Sequence, residues 1–401
     1  MPPGVGGNPG QFRVQHRVQV EINEGIVMGF YEYVRFQAID KPLDDEQLEF
    51  MNRQSSRAQI SRVEFINEYH YSGFRGDAVE MMFRGYDIHI LWNSYGTRNI
   101  MLRLNTGLPW SPDDFEGHFS DSEIQWLPEE TGSGGVLKIV LSLEDHSGMM
   151  MPQQFDSFMS SLSTLRDQIE EGDPRVLYFA WLATYSDGDE DAYEPPVPAG
   201  LQTLTPALEE LAAFLDIPDS LLAVAAERSP LRPSATPKTD PVDTWIAERS
   251  QTELQQIATQ LLQDSTGTVR RKFQQQIQAT ACVDSWPVAQ PSRTRAQLLE
   301  AMNLLERQWR QQELDRAAEA RRQKLEAMAA NPAATIAKIF GLAANRTTVD
   351  YEAAVALLVE LREALGLESA ADVTCGAAAE LRRQYPRARS LLSLLRSKGF
   401  L

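Results

Sequence analysis

The sequence predicts an α+β front domain, a mixed sheet with helices on one face, followed by a mainly α-helical rear half that carries a long charged helix. Three observations predict it. Short segments rich in aromatic and β-branched residues crowd the chain before residue 147. Beyond that point apolar residues recur at helical spacing. From Arg293 to Ala330 the chain runs through alternating charges without Gly or Pro.

Taken in order, Phe30 to Asp40 (FYEYVRFQAID) alternates partially and mixes aromatic with β-branched residues, as a strand does. The turn Asp40-Lys-Pro-Leu follows. Asp44 or Asp45 then caps a helix through about Ser55, because a short side-chain oxygen accepts from the free amides of the first turn. Ala58 to Tyr71 is a second extended segment on Ile60, Val63, Phe65 and Tyr69, interrupted by the loop Ser72 to Gly76. Asp77 opens a short helix with Val79, Met82 and Phe83 on one face. Strands at Ile88 to Trp92 and Asn99 to Leu104 flank the turn Asn93-Ser-Tyr-Gly-Thr, and another at Val136 to Leu143 follows a Gly-Ser-Gly-Gly turn. The order β-α-β-α-β-β is compatible with a split βαβ sheet.

Helices are expected at Gln154 to Ile169 and Arg175 to Tyr185, then at Thr205 to Leu215 and Pro218 to Glu227. Further helices cover 242–263 and 266–281, and amphipathic ones cover Tyr351 to Leu365 and Ala377 to Leu395. The resulting divisions are a disordered tail over 1–25, the α+β domain over 26–147 and a helical region over 148–228 with an acidic, Pro-rich loop at 186–200. A linker over 229–241, a helical segment over 242–291, the long charged helix over 292–330 and a C-terminal helical bundle over 331–401 complete them. The long helix, with sparse Leu298, Met302, Leu305, Trp309, Leu314 and Leu325, reads as an exposed helix laced with i,i+4 pairs or as one strand of a short coiled coil through which copies could associate.

Composition excludes several classes. Of 401 residues only Cys282 and Cys375 are cysteine, too few for a disulfide framework and without a neighbouring zinc partner. No apolar run approaches the roughly 18–20 residues that span a bilayer, and Met1 to Gly10 is rich in Pro and Gly rather than signal-like, so a cytoplasmic, membrane-free protein is expected. The net charge of −18 is uneven: residues 1–200 hold 14 basic against 32 acidic side chains, residues 201–401 hold 24 of each. The window Asp113 to Glu194 alone has 3 basic and 19 acidic. Such a surface repels the nucleic-acid backbone, so direct duplex binding is not expected, whereas a basic protein partner is permitted. The plainer reading is that the acid keeps the protein soluble.

The runs Tyr31-Glu-Tyr-Val-Arg-Phe-Gln-Ala-Ile-Asp-Lys-Pro-Leu43, Ser55-Ser-Arg-Ala58, Gly73-Phe-Arg-Gly-Asp77, Pro196-Val-Pro-Ala-Gly200 and Asp350-Tyr-Glu-Ala-Ala-Val-Ala-Leu-Leu-Val-Glu-Leu-Arg362 together resemble an uncharacterised family of bacterial hypothetical proteins. Members of that family look like neighbours of zinc-finger proteins of the SWIM type. The resemblance implies a partner rather than a reaction, and it carries over no site residue and no cofactor.

Glu68, His70, Asp77 and Arg98 come nearest to a catalytic set, since alternation puts Glu68 and His70 on one face of a strand, where a carboxylate can orient an imidazole for base catalysis. No nucleophile or third metal ligand accompanies them, and a surface or structural role is the simpler reading. His16, His70, His89, His118 and His146 are dispersed, without the close pairing that zinc sites need. Asp187, Asp189, Glu190 and Asp191 could hold a calcium ion but lack the distal glutamate of a calcium loop, so a solvated acidic loop is expected. Ser55 and Ser56 lack a glycine-flanked elbow. Arg57, Arg62, Arg75, Arg84 and Arg98, interleaved with Tyr69, Tyr71, Phe74, Trp92 and Tyr95, could clamp single-stranded nucleic acid or an acidic peptide; alternatively the aromatics are core and the arginines pair with the acidic excess. Arg270-Arg-Lys272 and the Arg-rich stretch 307–324 are balanced by acid and read as solvated faces.

No cofactor and no metal are therefore expected. The favoured expectation is a non-catalytic adaptor or regulatory subunit of a bacterial multiprotein system, with a protein partner. The alternatives are an enzyme with its site in the 68–98 region and an acidic nucleic-acid mimic that sequesters a basic partner.

Overall fold

A computed structural model describes residues 30–105, 108, 110–120, 122–130, 134–143, 152–185, 189–232, 241–263, 269, 273, 276, 277 and 286–401. The expected tail over 1–25 and most of the expected helix over 266–281 lie outside the described residues. The chain divides into two units, Met1–Leu305 and Glu306–Leu401.

The first unit is built on a seven-stranded sheet: β1 (Glu32–Gln37), β2 (Gln59–Ile60), β3 (Glu64–Tyr69), β4 (Ile88–Asn93), β5 (Thr97–Leu104), β6 (Ile124–Pro128) and β7 (Gly135–Ser142), in the order β2-β3-β1-β4-β5-β7-β6. The α+β class agrees with the expectation, but the sheet differs from it in two respects. Every pairing is antiparallel rather than mixed. Helices also cover both faces rather than one.

Register explains the two faces. Phe36 pairs with Phe65 and His89, and His89 with Met101, so these four lie on one face. There, with Val34 and Val136, they meet α1 (Asp45–Gln54) and α2 (Ala78–Arg84) through Met51, Met81 and Met82. The alternate residues Tyr33, Ile88, Ile90, Trp92, Ile100, Leu102, Leu137 and Ile139 form the opposite face. It packs under α3 (Pro152–Glu170), α4 (Arg175–Ala183), α5 (Pro206–Phe214) and α6 (Asp219–Ala226). Central strands buried on both sides lose strict alternation, and IHILW and IMLRL are almost continuously apolar for that reason. The described helices between residues 152 and 226 thus share one core with the sheet.

The capping expected of Asp44 holds: its side chain accepts from Gln47 N, and the Gln47 side chain accepts from Asp44 N, a reciprocal box. Asp77 likewise caps α2. The expected helix at 242–263 is two, α7 (Pro241–Ala247) and α8 (Gln251–Gln263), parted where Ser250 caps the second by accepting from Glu253 N. The Pro-rich segments 196–200 and 286–291 are joined by a two-residue ladder, β8 (Val197–Pro198) with β9 (Val288–Ala289).

The long charged helix is α9 (Arg295–Ala330). In the second unit it is followed by α10 (Pro332–Ala344), α11 (Thr348–Gln384) and α12 (Arg389–Ser397), whose core includes Ile339, Ala354, Leu358, Leu381, Leu391 and Leu395. A break at Gly366 (φ 71°, ψ 171°) divides α11. Arg321 meets Glu363 at 2.8 Å and Lys324 meets Glu360 at 2.7 Å, exposed pairs between α9 and α11. Among the described residues no single helix is long and apolar enough to cross a membrane.

Candidate functional site

One end of the sheet gathers the sequence-derived candidates. The end of β3, the start of β1 and the β4–β5 turn are neighbours there, since Glu32 pairs with both Tyr69 and Asn93. Tyr31 and Ser94 exchange hydrogen bonds: Ser94 N donates to Tyr31 O at 2.8 Å and Tyr31 N donates to Ser94 Oγ at 3.1 Å. Phe30 stacks on Tyr95 with ring centroids 5.7 Å apart, and Tyr31 packs on His70 at 5.4 Å and edge-on against Trp92 at 5.8 Å. Tyr71 is 94% exposed and Tyr95 60% exposed, so the rim ends in phenol rings turned to solvent.

The four candidate catalytic residues do not converge. Glu68 and His70 are exposed and adjoin Tyr31, whose phenol is raised by burial, then by the Glu68 carboxylate to which it is hydrogen-bonded. Asp77 is the N-cap of α2, which packs on the other face, and its carboxylate accepts from Glu80 N at 3.0 Å. Arg98 shares the face of Glu68, but β1 and β4 lie between their strands, a separation of about 14 Å at the usual strand spacing. Arg98 is buried, with its guanidinium 5.0 Å from the Trp92 ring and long contacts of 3.4 Å to Asn93 O and Thr97 O. It has no carboxylate ion-pair partner among the described residues, and burial pushes it down to about 10, against the pull of Asp216. This buried cation is the one candidate whose environment is unusual.

The arginine and aromatic set divides. Tyr69 and Trp92 are buried and Phe74 is half-buried, as core. Arg62 pairs with Asp45 and Arg84 with Glu80, while Arg84 also lies over Phe50 at 4.3 Å. Arg57 and Arg75 are exposed. Tyr71 and Tyr95 remain as the exposed aromatics of that set.

Of the histidines, His89 is fully buried, its ring stacked 4.0 Å from Phe36. Its Nδ1 lies 3.1 Å from Arg35 O and therefore carries the proton, leaving Nε2 bare among apolar neighbours. Burial pushes His89 down to about 3 and His118 down to about 4. His16 and His146 lie outside the described residues. Among the described residues, no three of His, Cys, Asp and Glu form a metal-holding group. In the acidic loop Asp189, Glu190 and Asp191 are exposed and Asp187 lies outside the described residues.

Sequence reasoning passed over the buried charges that hold the first unit together. Arg166 donates to Asp40 through both terminal nitrogens (3.1 and 2.8 Å) and to Arg103 O at 2.6 Å, tying α3 to the end of β5. Asp87 binds Arg103 and accepts from Ile39 N and Asp40 N at 2.7 and 2.8 Å. Glu194 is held by Arg293 and Tyr178. Each joins segments far apart in the chain, and spacing carries no signal of such pairs.

No family model, no curated protein and no solved structure matches this chain.

Proposed function

We propose that the protein is a non-catalytic interaction adaptor or regulatory subunit, and that the aromatic rim at the sheet end is a surface through which it holds a protein partner. The observation that carries this reading is the exposure of Tyr71 and Tyr95 beside Phe30, Tyr31 and His70. Tyrosine offers a large apolar body and a polar tip with only two rotatable side-chain bonds, so it loses little entropy on docking, and buried interface hot spots are enriched in it. The dispersal of Glu68, Asp77 and Arg98 over two faces and different depths supports a binding role over a catalytic one.

Co-purification from the native host, with stoichiometry measured for each recovered protein, tests this. The unaltered chain is expected to retain one defined protein near one-to-one. The double variant Tyr71→Ser, Tyr95→Ser is expected to lose it at least tenfold with unchanged thermal unfolding. A chain that purifies alone, or a partner held equally by the double variant, would overturn the rim as the docking surface.

A further inference from the structure

The second unit contains a hollow of about 550 Å³ lined by Ala379, Arg382, Arg383, Pro386, Leu392 and Arg396. It lies between the end of α11 and the body of α12, so its three arginines come from two helices. Residues 381–398 hold six Lys and Arg and no Asp or Glu. Arg383 is engaged by Glu380 one turn back on the same helix (2.7 Å), and Glu380 also accepts from Gln384 Nε2 at 2.8 Å. Arg382 and Arg396 meet no carboxylate among the described residues.

Arginines near the last turns of α11 and α12 are favoured by the partial negative charge of the free carbonyls there. That effect acts on each helix separately. It does not account for three guanidinium groups lining one concavity, two of which, Arg382 and Arg396, meet no carboxylate among the described residues and repel one another. An occupant bearing negative charge removes that repulsion, and the planar fork of arginine matches phosphate oxygens two at a time. The remaining lining, Ala379, Pro386 and Leu392, is apolar. The hollow is open, with Ala379, Pro386 and the three arginines exposed, and its volume admits a single small ligand.

We propose that this hollow binds a phosphorylated small molecule of nucleotide size, with Arg382 and Arg396 on its phosphates and Ala379, Pro386 and Leu392 against its apolar part. Glu380 holds Arg383 partly away from that ligand. The class follows from the combination of concave shape, arginine rather than lysine, and the apolar side chains of Ala379, Pro386 and Leu392 in the lining. Tyr385 is the single aromatic residue between 381 and 398, so the base-stacking ladder of a single-strand binder is missing from this stretch.

Calorimetric titration of the full chain with ATP and with pyrophosphate, at low and at physiological salt, tests the assignment. Saturable one-to-one binding is expected, tighter for ATP than for pyrophosphate. Arg382→Ala and Arg396→Ala are each expected to weaken it about tenfold or more. Glu380→Gln, which frees Arg383, is expected to tighten it severalfold, while Arg321→Ala, outside the hollow, leaves it unchanged. Arg321, Arg382 and Arg396 are exposed and Glu380 is half-buried, and thermal melts check that each variant folds. Absence of saturable binding, or equal affinity in the Arg382 and Arg396 variants, would overturn the proposal. So would capture of a single-stranded oligonucleotide by these arginines with no response to ATP or pyrophosphate, which would assign the surface to a nucleic-acid backbone.

Discussion

Arg293 grips Glu194 across 99 residues of sequence, Nε to Oε2 at 2.6 Å and Nη2 to Oε1 at 2.8 Å, in a site from which water is almost excluded. The Tyr178 hydroxyl donates to the same carboxylate at 2.5 Å, and Arg293 Nη1 donates to Val224 O at 3.2 Å. Burial, and next the Glu194 charge, raise the phenol well above its usual range, so it stays a donor. Glu194→Ala leaves a buried cation and a buried hydroxyl without their partner and should cost about 3–5 kcal/mol in urea unfolding. The double change Glu194→Met, Arg293→Met should recover most of that loss, because two charges no longer need to be desolvated. Equal losses in the single and double variants would show that packing, not the ion pair, fixes this junction.

The same pair marks how far the sequence could be read. Strands β1, β3, β4, β5 and β7 and helices α1 to α6 follow from local pattern, since their apolar periodicity and caps are properties of neighbouring residues. Glu194 closes a run that reads as a solvated acidic loop, and Asp189 to Asp191 are indeed exposed. Its burial depends on Arg293, and nothing near residue 194 specifies that. Strand β6, Ile124–Pro128, leaves little local signal, because an edge strand of five residues has little alternation and this one ends in proline. Helix α10 was readable from Asn331 as cap and Pro332 at its first position. Helices on both sheet faces were readable too, from the unbroken apolar runs of β4 and β5. The candidate set Glu68, His70, Asp77 and Arg98 rested on residue type and on the alternation that joins Glu68 to His70, and neither reveals that α2 and Arg98 lie on opposite faces of the sheet.

Arg98 gives a test that separates retention for stability from retention for function. Its charge is buried without a carboxylate ion-pair partner among the described residues, and its backbone contacts are long. Arg98→Met keeps the stem that packs on Trp92 and removes the charge. The expected result is unfolding at an equal or higher urea midpoint, by up to about 1–2 kcal/mol. A loss of more than about 2 kcal/mol would mean that the guanidinium is a structural donor.

His89 predicts a pH dependence of definite sign. In the unfolded chain its imidazole titrates near the ordinary value of about 6.5, whereas the folded protein holds it down to about 3. The unfolded state therefore binds the extra proton between these values, so stability is complete above about pH 6.5 and falls as the pH is lowered toward 3. Each fully displaced group contributes about 1.4 kcal/mol per pH unit in that window. His118, held near 4, adds to the slope until its own folded value is reached. Urea midpoints measured at intervals from neutral pH down to about pH 4 should fall progressively. His89→Phe, which can keep the stack on Phe36, should flatten that fall; an unchanged slope would show that His89 is protonated in the fold.

The β4–β5 turn, which presents Tyr95, should tolerate a side chain at Gly96 poorly. Gly96 sits at φ 93°, a region that costs a residue with a side chain about 1–2 kcal/mol. A methyl group there would also overlap the backbone carbonyl oxygen of Leu143, whose own N–H donates to Gly96 O at 3.1 Å. The turn is fixed from inside by Asn93 Oδ1, which accepts from Tyr95 N at 3.1 Å and Thr97 N at 3.0 Å. Gly96→Ala should therefore cost more than about 2 kcal/mol, since strain and overlap add. Gly341 lies within α10 with open space where a methyl group would project, and Gly341→Ala should instead stabilise by roughly 0.5–1 kcal/mol through the lower entropy of its unfolded chain. Thermal melts of the two variants should move in opposite directions. If Tyr95 belongs to the docking surface, Gly96→Ala should also weaken partner retention at a temperature where it is still folded, while Gly341→Ala should leave it unchanged.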